Sequence, residues 1–239
     1  MGQAAGNPLQ TSNASIQKIM QITKEVFTKP GTLLASIKTS TATTQSILSS
    51  ILIPISVAMF VVGTIMWMSY GGSIFSSLMY SLISAAIYLV VIIISAKIMT
   101  SPQVQGILNS SYTEANVLEL YAIVSIPMLI GQLLNVILPI SLGSLVALAL
   151  VVFAIFLFYK GAKEGLSCPN PIMFILAMIV INFVLMLVGT GIQAMVMSQP
   201  LSDMAMAAKA TGLSEEQLKA IPNLDKLKAL SESMQNRGN

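Results

Sequence analysis

The chain has 239 residues, of which 55% are hydrophobic and 9% are charged, and its net charge is +3. Soluble domains carry about 25% charged residues, so this composition excludes a water-soluble globule and predicts an integral membrane protein. There is no histidine and one cysteine, Cys168, which excludes histidine-based catalysis, histidine metal sites and an internal disulfide. Residues 1–13 lack both a basic stretch and an apolar core, so we expect no cleavable signal.

The first predicted element is an amphipathic helix over residues 15–29, with Ser15 as its N-cap and Pro30 as its stop. Two placements of this helix remain open: in the inner membrane interface, or packed under the membrane domain as a cytoplasmic lid. A second short helix is expected around residues 33–37. Residues 1–50 are assigned to a cytoplasmic segment. The candidate membrane-interface residues are Lys18, Lys24, Phe27 and Lys160.

Five apolar runs of membrane-spanning length follow, and they define a predicted membrane domain over residues 51–198. The links between the first and second runs and between the third and fourth runs are short and contain glycine, so each pair is expected to form an antiparallel hairpin. In a bilayer such runs must be helical, because every backbone polar group needs a partner within its own segment. The predicted spans are 51–68, 74–96, 118–138, 142–159 and 172–197.

The distribution of lysine predicts the topology. Both hairpin tips lack lysine and arginine, whereas the other flanks of the spans are basic. The positive-inside rule therefore predicts a cytoplasmic N-terminus and, with five spans, an outside C-terminus. The lysines that carry this prediction are Lys18, Lys24, Lys29, Lys38, Lys97, Lys160 and Lys163.

The tail over residues 199–239 is soluble in character and has two helix-start signals, at Ser202 and Ser214. Its apolar stripe is too thin to form a domain. The tail either docks on the membrane domain or on a partner, or it is mobile. With the predicted topology it is an extracytoplasmic helical tail.

Polar and small residues form one stripe along each span, and the rest of each span is apolar. They are therefore not scattered through the membrane domain but recur at helical spacing. The stripes contribute ten candidate helix-packing residues: Ser77, Ser81, Ser84, Tyr88, Tyr121, Ser125, Gln132, Asn135, Asn182 and Gln193.

Two interpretations of these stripes compete. In the first they are seams between helices, where each hydrogen bond contributes about 0.6–2 kcal/mol. In the second they line a hydrated cavity or a solute path. No acidic or basic residue lies at mid-membrane depth, as proton relays and ion sites normally require, and Glu119 lies near one end of its run. This pattern favours seams, with Gln132 and Asn135 joining the third span to the second or the fifth.

Motifs for chemistry are missing from the sequence. It contains no glycine-rich phosphate loop, no metal-ligand spacing and no nucleophile beside a base. We therefore expect a protein that is not an enzyme and that needs no cofactor, no metal and no nucleic acid. Cys168, in "SCPN", is either a palmitoylation site or an unmodified loop cysteine.

Three stretches resemble the YIP (Ypt-interacting protein) family. "VFTKPGTLLASI" (26–37) is similar to the proline-containing entry segment of prokaryotic members. "LYAIVSIPMLI" (120–130), with Tyr121 six residues before Pro127, is similar to the third span of the family. "FYKGAKEGL" (158–166) resembles the aromatic, basic and glycine-containing exit of the fourth span. The resemblance covers roughly residues 28–188.

The resemblance implies an all-helical, five-span domain with a cytosolic N-terminus. In eukaryotic members it also implies association with Rab-type GTPases, self-association, and vesicle or membrane-shape roles. The trafficking members have an acidic, aromatic-rich cytoplasmic N-terminal segment. This sequence lacks such a segment, which points to a prokaryotic-type member in a cell membrane and puts GTPase binding in doubt. The expected function is packing against the bilayer and other membrane proteins. The alternatives are an accessory subunit of a larger membrane complex and a small-solute or ion conduit.

Overall fold

The computed structural model describes residues 8–69, 71 and 73–196, and these residues form helices and turns without any strand. Five of the helices are long and apolar enough to cross a membrane. The prediction of an all-α, five-span fold is therefore confirmed, and the chain is an integral membrane protein. The helices are α1 (Pro8–Thr28), α2 (Pro30–Ser36), α3 (Thr44–Ser69), α4 (Ile74–Met99), α5 (Pro102–Leu108), α6 (Glu114–Ile137), α7 (Ile140–Lys160) and α8 (Pro171–Val196).

The five spans are α3, α4, α6, α7 and α8, and they are called the first to fifth spans below. The first and third begin earlier than predicted because polar caps precede their apolar runs. At the first, Thr43 Oγ1 accepts a hydrogen bond from the backbone N–H of Ser46. At the third, Thr113 and Asn116 cap each other reciprocally. Caps of this kind lower the local hydropathy without ending the helix.

The two ends of the bundle differ in what covers them. One end carries α1, α2, α5 and the lysines next to the spans, and it is called the lysine end. The other carries the short links between the first and second spans and between the third and fourth, and it is called the hairpin end. The alternating direction of the spans therefore brings all the lysines of the predicted basic flank to one end.

At the lysine end, α1 packs against the first and third spans and against α2. It begins at Pro8, so the prediction of Ser15 as its N-cap was wrong, and Ser15 lies inside the helix. It ends at Thr28, just before Pro30, as predicted. Val26 is fully buried, whereas Ile16 and Met20 are more than half exposed. α1 thus has the packing of a lid on one face and an exposed apolar surface on another.

The third span is the centre of the bundle. Half of its apolar window is buried, against 17% for each of the fourth and fifth spans. It packs against the first, second and fourth spans, and the second span also packs against the fifth. From Val117 to Pro127 every residue except Glu119 is buried, whereas beyond Pro127 the buried position is Gly131. Burial of this helix is therefore concentrated at the lysine end.

A π-helical turn, Gly161–Gly165, extends the fourth span at the lysine end and holds α2. A Cβ added to Gly165 would lie 2.5 Å from the backbone oxygen of Leu34, and one added to Gly161 would collide with the side chain of Leu120. Both glycines are buried. Glycine is therefore required at position 165, where the backbone of α2 blocks a larger residue, whereas at position 161 the end of the Leu120 side chain would have to move.

The predicted helical tail, residues 199–239, lies outside the described residues, together with its start signals at Ser202 and Ser214.

Candidate functional site

A network of hydrogen bonds joins the second, third and fifth spans, and it is built from the predicted stripes. On the third span Tyr121 and Ser125 are four residues apart and therefore share a face. The Asn182 side chain of the fifth span donates to the Tyr121 hydroxyl at 2.6 Å and to the Met178 backbone oxygen at 2.8 Å. Ser95 of the second span donates to Asn182 Oδ1 at 3.3 Å. One amide thus connects three helices.

Tyr88 and Ser125 form a second connection in the same network. Their hydroxyl groups are hydrogen-bonded to each other. Ser125 Oγ also donates to the Tyr121 backbone oxygen at 2.7 Å, so the Tyr88 hydroxyl is left as the donor between the two. The tyrosine of the second span is therefore anchored on the third, one helical turn from the Asn182 site.

A third connection lies nearer the hairpin end. Gln193 Nε2 of the fifth span donates to Ser84 Oγ of the second span at 3.0 Å. This bond extends the contact between these two spans along their length. Together these groups are called the polar seam, and its members are Ser84, Tyr88, Ser95, Tyr121, Ser125, Asn182 and Gln193.

Ser77 and Ser81 are buried on the second span, at 2% and 3% exposure, but are not part of the seam. Neither hydroxyl has a hydrogen-bond partner among the described residues. Ser81 lies against Gly63 of the first span, where an added Cβ would be 3.1 Å from Ser81 Oγ. The two serines therefore act in this structure as small residues that let the first two spans approach each other.

The contacts of Gln132 and Asn135 differ from those predicted, which joined the third span to the second or fifth. The Gln132 side chain is exposed on the surface of the bundle and bonds to no described residue. Asn135 packs on the fourth span instead of the second or fifth, with its Oδ1 only 2.7 Å from the position of a Cβ on Gly143. The physical reason is the short link after Ile137, which forces this end of the third span against the fourth.

The four candidate interface residues all lie at the lysine end. Lys18 Nζ donates to Ser50 Oγ at 3.2 Å, and the Lys24 side chain is exposed. Phe27 stacks on Phe153 of the fourth span, with the ring centroids 5.5 Å apart.

Lys160 ends the fourth span. It pairs with Glu164 at 3.9 Å and lies 6.0 Å from the ring centroid of Phe156. Both partners belong to the fourth span and its π-helical extension, so this lysine is held locally instead of bridging to another span.

The described residues hold few groups suited to chemistry. None of them form a set of three His, Cys, Asp or Glu side chains that could hold a metal ion. Cys168 is buried, and burial raises the pKa of its thiol. A buried thiol with a raised pKa is a poor nucleophile and a poor target for acylation.

Nearby, burial and the neighbouring Cys168 raise the pKa of Tyr112 to about 12. The Tyr112 hydroxyl donates to the Met99 backbone oxygen at 3.2 Å. Its role is therefore to tie the loop before the third span to the end of the second.

Some contributors to the site had no assigned role in the sequence prediction. Ser95 was not among the ten candidates, and Met178 supplies its carbonyl and sulfur from the helical turn before Asn182. Asn116 donates to the Ile37 backbone oxygen at 2.9 Å and so fixes the start of the third span on the segment after α2. The spacing of Thr113 and Asn116 is a capping signal that could have indicated it.

Comparison with family models, curated proteins and solved structures found no match to this chain.

Proposed function

We propose that the chain is a non-enzymatic membrane protein that acts by packing, both within its own bundle and against other membrane proteins, in membrane organisation or assembly. The observation that carries the proposal is the polar seam. Its amides and hydroxyls are bonded to each other, as between Tyr121 and Asn182 at 2.6 Å, so they are used to hold helices together.

The seam also argues against the rival interpretation, a small-solute or ion conduit. A conduit keeps its polar groups free to replace the hydration shell of the solute, and it normally places charged residues along the path. Tyr88, Ser125 and Ser95 instead bond to neighbouring spans. Glu119, the acidic residue of the third span outside its first turn, lies at the lysine end.

The fourth and fifth spans offer surfaces for partners. Their outward faces carry large exposed side chains, such as Leu145, Leu148, Phe183 and Leu187. In a bilayer these side chains contact lipid tails or the spans of other proteins. The accessory-subunit alternative uses the same surfaces, with a fixed partner in place of a variable one.

Membership of the YIP family, a prokaryotic cell membrane and a cytoplasmic N-terminus form part of the same proposal. The lysine distribution supports the orientation. It is tested by thiol labelling of intact cells in a Cys168→Ala background. Ser73→Cys, at the hairpin end, should react with an impermeant reagent, and Lys29→Cys should not. Labelling of the Lys29 site alone would reverse the orientation.

Affinity purification in mild detergent, followed by flux measurements in liposomes, tests the function. We expect recovery of the protein with itself or with variable membrane proteins, and no solute flux above that of empty liposomes. One partner at fixed stoichiometry would favour the accessory subunit. Flux that is lost in Ser125→Ala but kept in the surface variant Thr190→Val would favour a conduit and contradict the proposal.

A further inference from the structure

A cavity of about 170 Å³ lies at the lysine end, beneath α1 and against the first and third spans. Its apolar lining comes from α1, α2 and the two spans, and its polar lining comes from α1 and the third span. The lining residues are Lys18, Gln21, Ile22, Glu25, Leu33, Ile51, Glu119 and Ile123. Its volume suits a ligand of a few non-hydrogen atoms.

The charges of this cavity are unbalanced. Glu25 and Glu119 contribute two carboxylates, against the single ammonium of Lys18, which donates to Ser50 instead of to either acid. Glu119 Oε2 is buried and has no hydrogen-bond partner among the described residues. A buried carboxylate oxygen without a donor is destabilising, so a ligand that supplies N–H groups and a positive charge would stabilise this site.

A larger groove of about 570 Å³ adjoins the cavity and shares Gln21, Glu25 and Leu33 with it. Its remaining lining comes from α1, α2 and the residue between them, Lys29. Lys24 of α1 and Lys29 supply positive charge. Both lysines are exposed. The acidic cavity and the basic groove therefore lie side by side, which matches a ligand with an ammonium group next to an anionic group.

The position of the two spaces indicates the source of such a ligand. Glu119 is near the start of a membrane span, so the cavity lies at the level where the span meets the membrane surface. Apolar side chains of both spans, Ile51 and Ile123, line the cavity beside Glu119, and the exposed side chains of Ile16 and Met20 lie on the same helix as Lys18 and Lys24. These features place lipid headgroups within reach of the site.

We propose that the cavity and groove together bind the headgroup of an aminophospholipid, with its primary ammonium at Glu119 and Glu25 and its phosphate at Lys24 and Lys29. A primary ammonium has N–H donors for the carboxylates, whereas the trimethylammonium of choline has none and is bulkier. The proposal is independent of the packing function, because it concerns α1, α2 and Glu119 of the third span, none of which belongs to the polar seam.

Thermal unfolding of the full-length protein in detergent tests this proposal, with phosphatidylethanolamine, phosphatidylcholine of the same acyl chains, or free ethanolamine added. Phosphatidylethanolamine should raise Tm by roughly 3 °C or more at saturation, and phosphatidylcholine should not. Glu119→Gln should abolish this shift. Glu114→Gln, a carboxylate change on the same helix outside the cavity lining, should keep it.

Equal shifts with both lipids, or a shift that survives in Glu119→Gln, would overturn the proposal. A shift with free ethanolamine but not with the lipid would overturn the assignment to a lipid. Ile22→Trp serves as a second variant, because it fills the cavity from α1 without altering a carboxylate. It should lose the phosphatidylethanolamine shift, and retention of the shift in a folded Ile22→Trp protein would equally contradict the proposal.

Discussion

The two ends of the third span carry the same kind of sequence and have different surroundings. At the lysine end, Tyr121 and Ser125 are buried and bonded to the second and fifth spans. At the hairpin end, Gln132 lies on the same helical stripe but is exposed and bonds to no described residue. The stripe therefore indicates which polar residues share a face, whereas burial by neighbouring elements decides which of them bond. The bonds of Tyr121 and Ser125 lie toward the lysine end, and the Gln193–Ser84 bond extends the seam toward the hairpin end along the second and fifth spans.

The largest contrast between the ends is expected at glycine contacts. Gly165→Ala should destabilise the protein by about 1–3 kcal/mol, because the new Cβ meets the Leu34 backbone oxygen at 2.5 Å. Gly143→Ala, at the hairpin end, should cost less, since the 2.7 Å contact of its Cβ is with the movable side chain of Asn135 and the nearest backbone atom, Asn135 Cα, lies at 3.2 Å. Thermal or denaturant unfolding in detergent measures both.

Gly106→Ala is the control for this pair, because no atom lies within 4 Å of its added Cβ. It should be neutral or slightly stabilising, as expected for a helical glycine with free space. Equal losses in Gly165→Ala and Gly106→Ala would mean that α2 is not held by the π-helical turn.

The next largest effect is expected at Asn182. Asn182→Leu removes the bonds to Tyr121 and Ser95, and we expect a loss of about 1–2 kcal/mol of unfolding free energy. Thr190→Val on the same helix should change little, since Thr190 bonds only within its own helix, to the Met186 oxygen. An Asn182→Leu protein as stable as the parent would show that the bonds of Asn182 to Tyr121 and Ser95 do not stabilise the bundle.

The two unbonded serines of the second span, Ser77 and Ser81, should tolerate substitution without loss of stability. Ser77→Ala removes a buried hydroxyl that has no partner among the described residues, so stability should stay within about 0.5 kcal/mol or rise. The same unfolding measurement applies. A loss of more than about 1 kcal/mol would indicate that Ser77 has a partner, and the contrast between bonded and unbonded polar residues would fail.

The smallest effect concerns pH and the buried thiol at the lysine end. Burial raises the pKa of Cys168, so the folded state holds its proton more tightly than the unfolded chain does. The protonated thiol therefore adds to the free energy of unfolding. This stabilisation is fully present below the ordinary thiol pKa of about 8.5 and is lost as the pH rises through the folded-state pKa. Stability measured from pH 8 to 10.5 should therefore fall more steeply in the parent than in Cys168→Ala. Identical slopes would contradict this account.

Much of the fold could be predicted from the sequence, because spans depend on hydropathy and length, which are local properties. The residues that each polar side chain contacts on neighbouring helices could not be predicted in the same way. Asn135 and Tyr121 lie on one stripe, yet Asn135 packs on Gly143 and Tyr121 bonds to Asn182. That difference arises from the short link that presses the third span onto the fourth, and from neighbours that only the fold brings together. The start of α1 was missed because residues 8–14, with Leu9 as their one large apolar side chain, give no apolar period.

The central claim is that the polar seam joins the spans through specific bonds, and a double-mutant cycle tests it most directly. Tyr121→Phe, Asn182→Leu and the double variant are unfolded in the same detergent, and the interaction free energy is obtained from the three losses. We predict a favourable coupling of about 0.6 kcal/mol, the average for hydrogen bonds between membrane helices, and at most about 1.7 kcal/mol. Additive losses, with no coupling between Tyr121 and Asn182, would contradict the account.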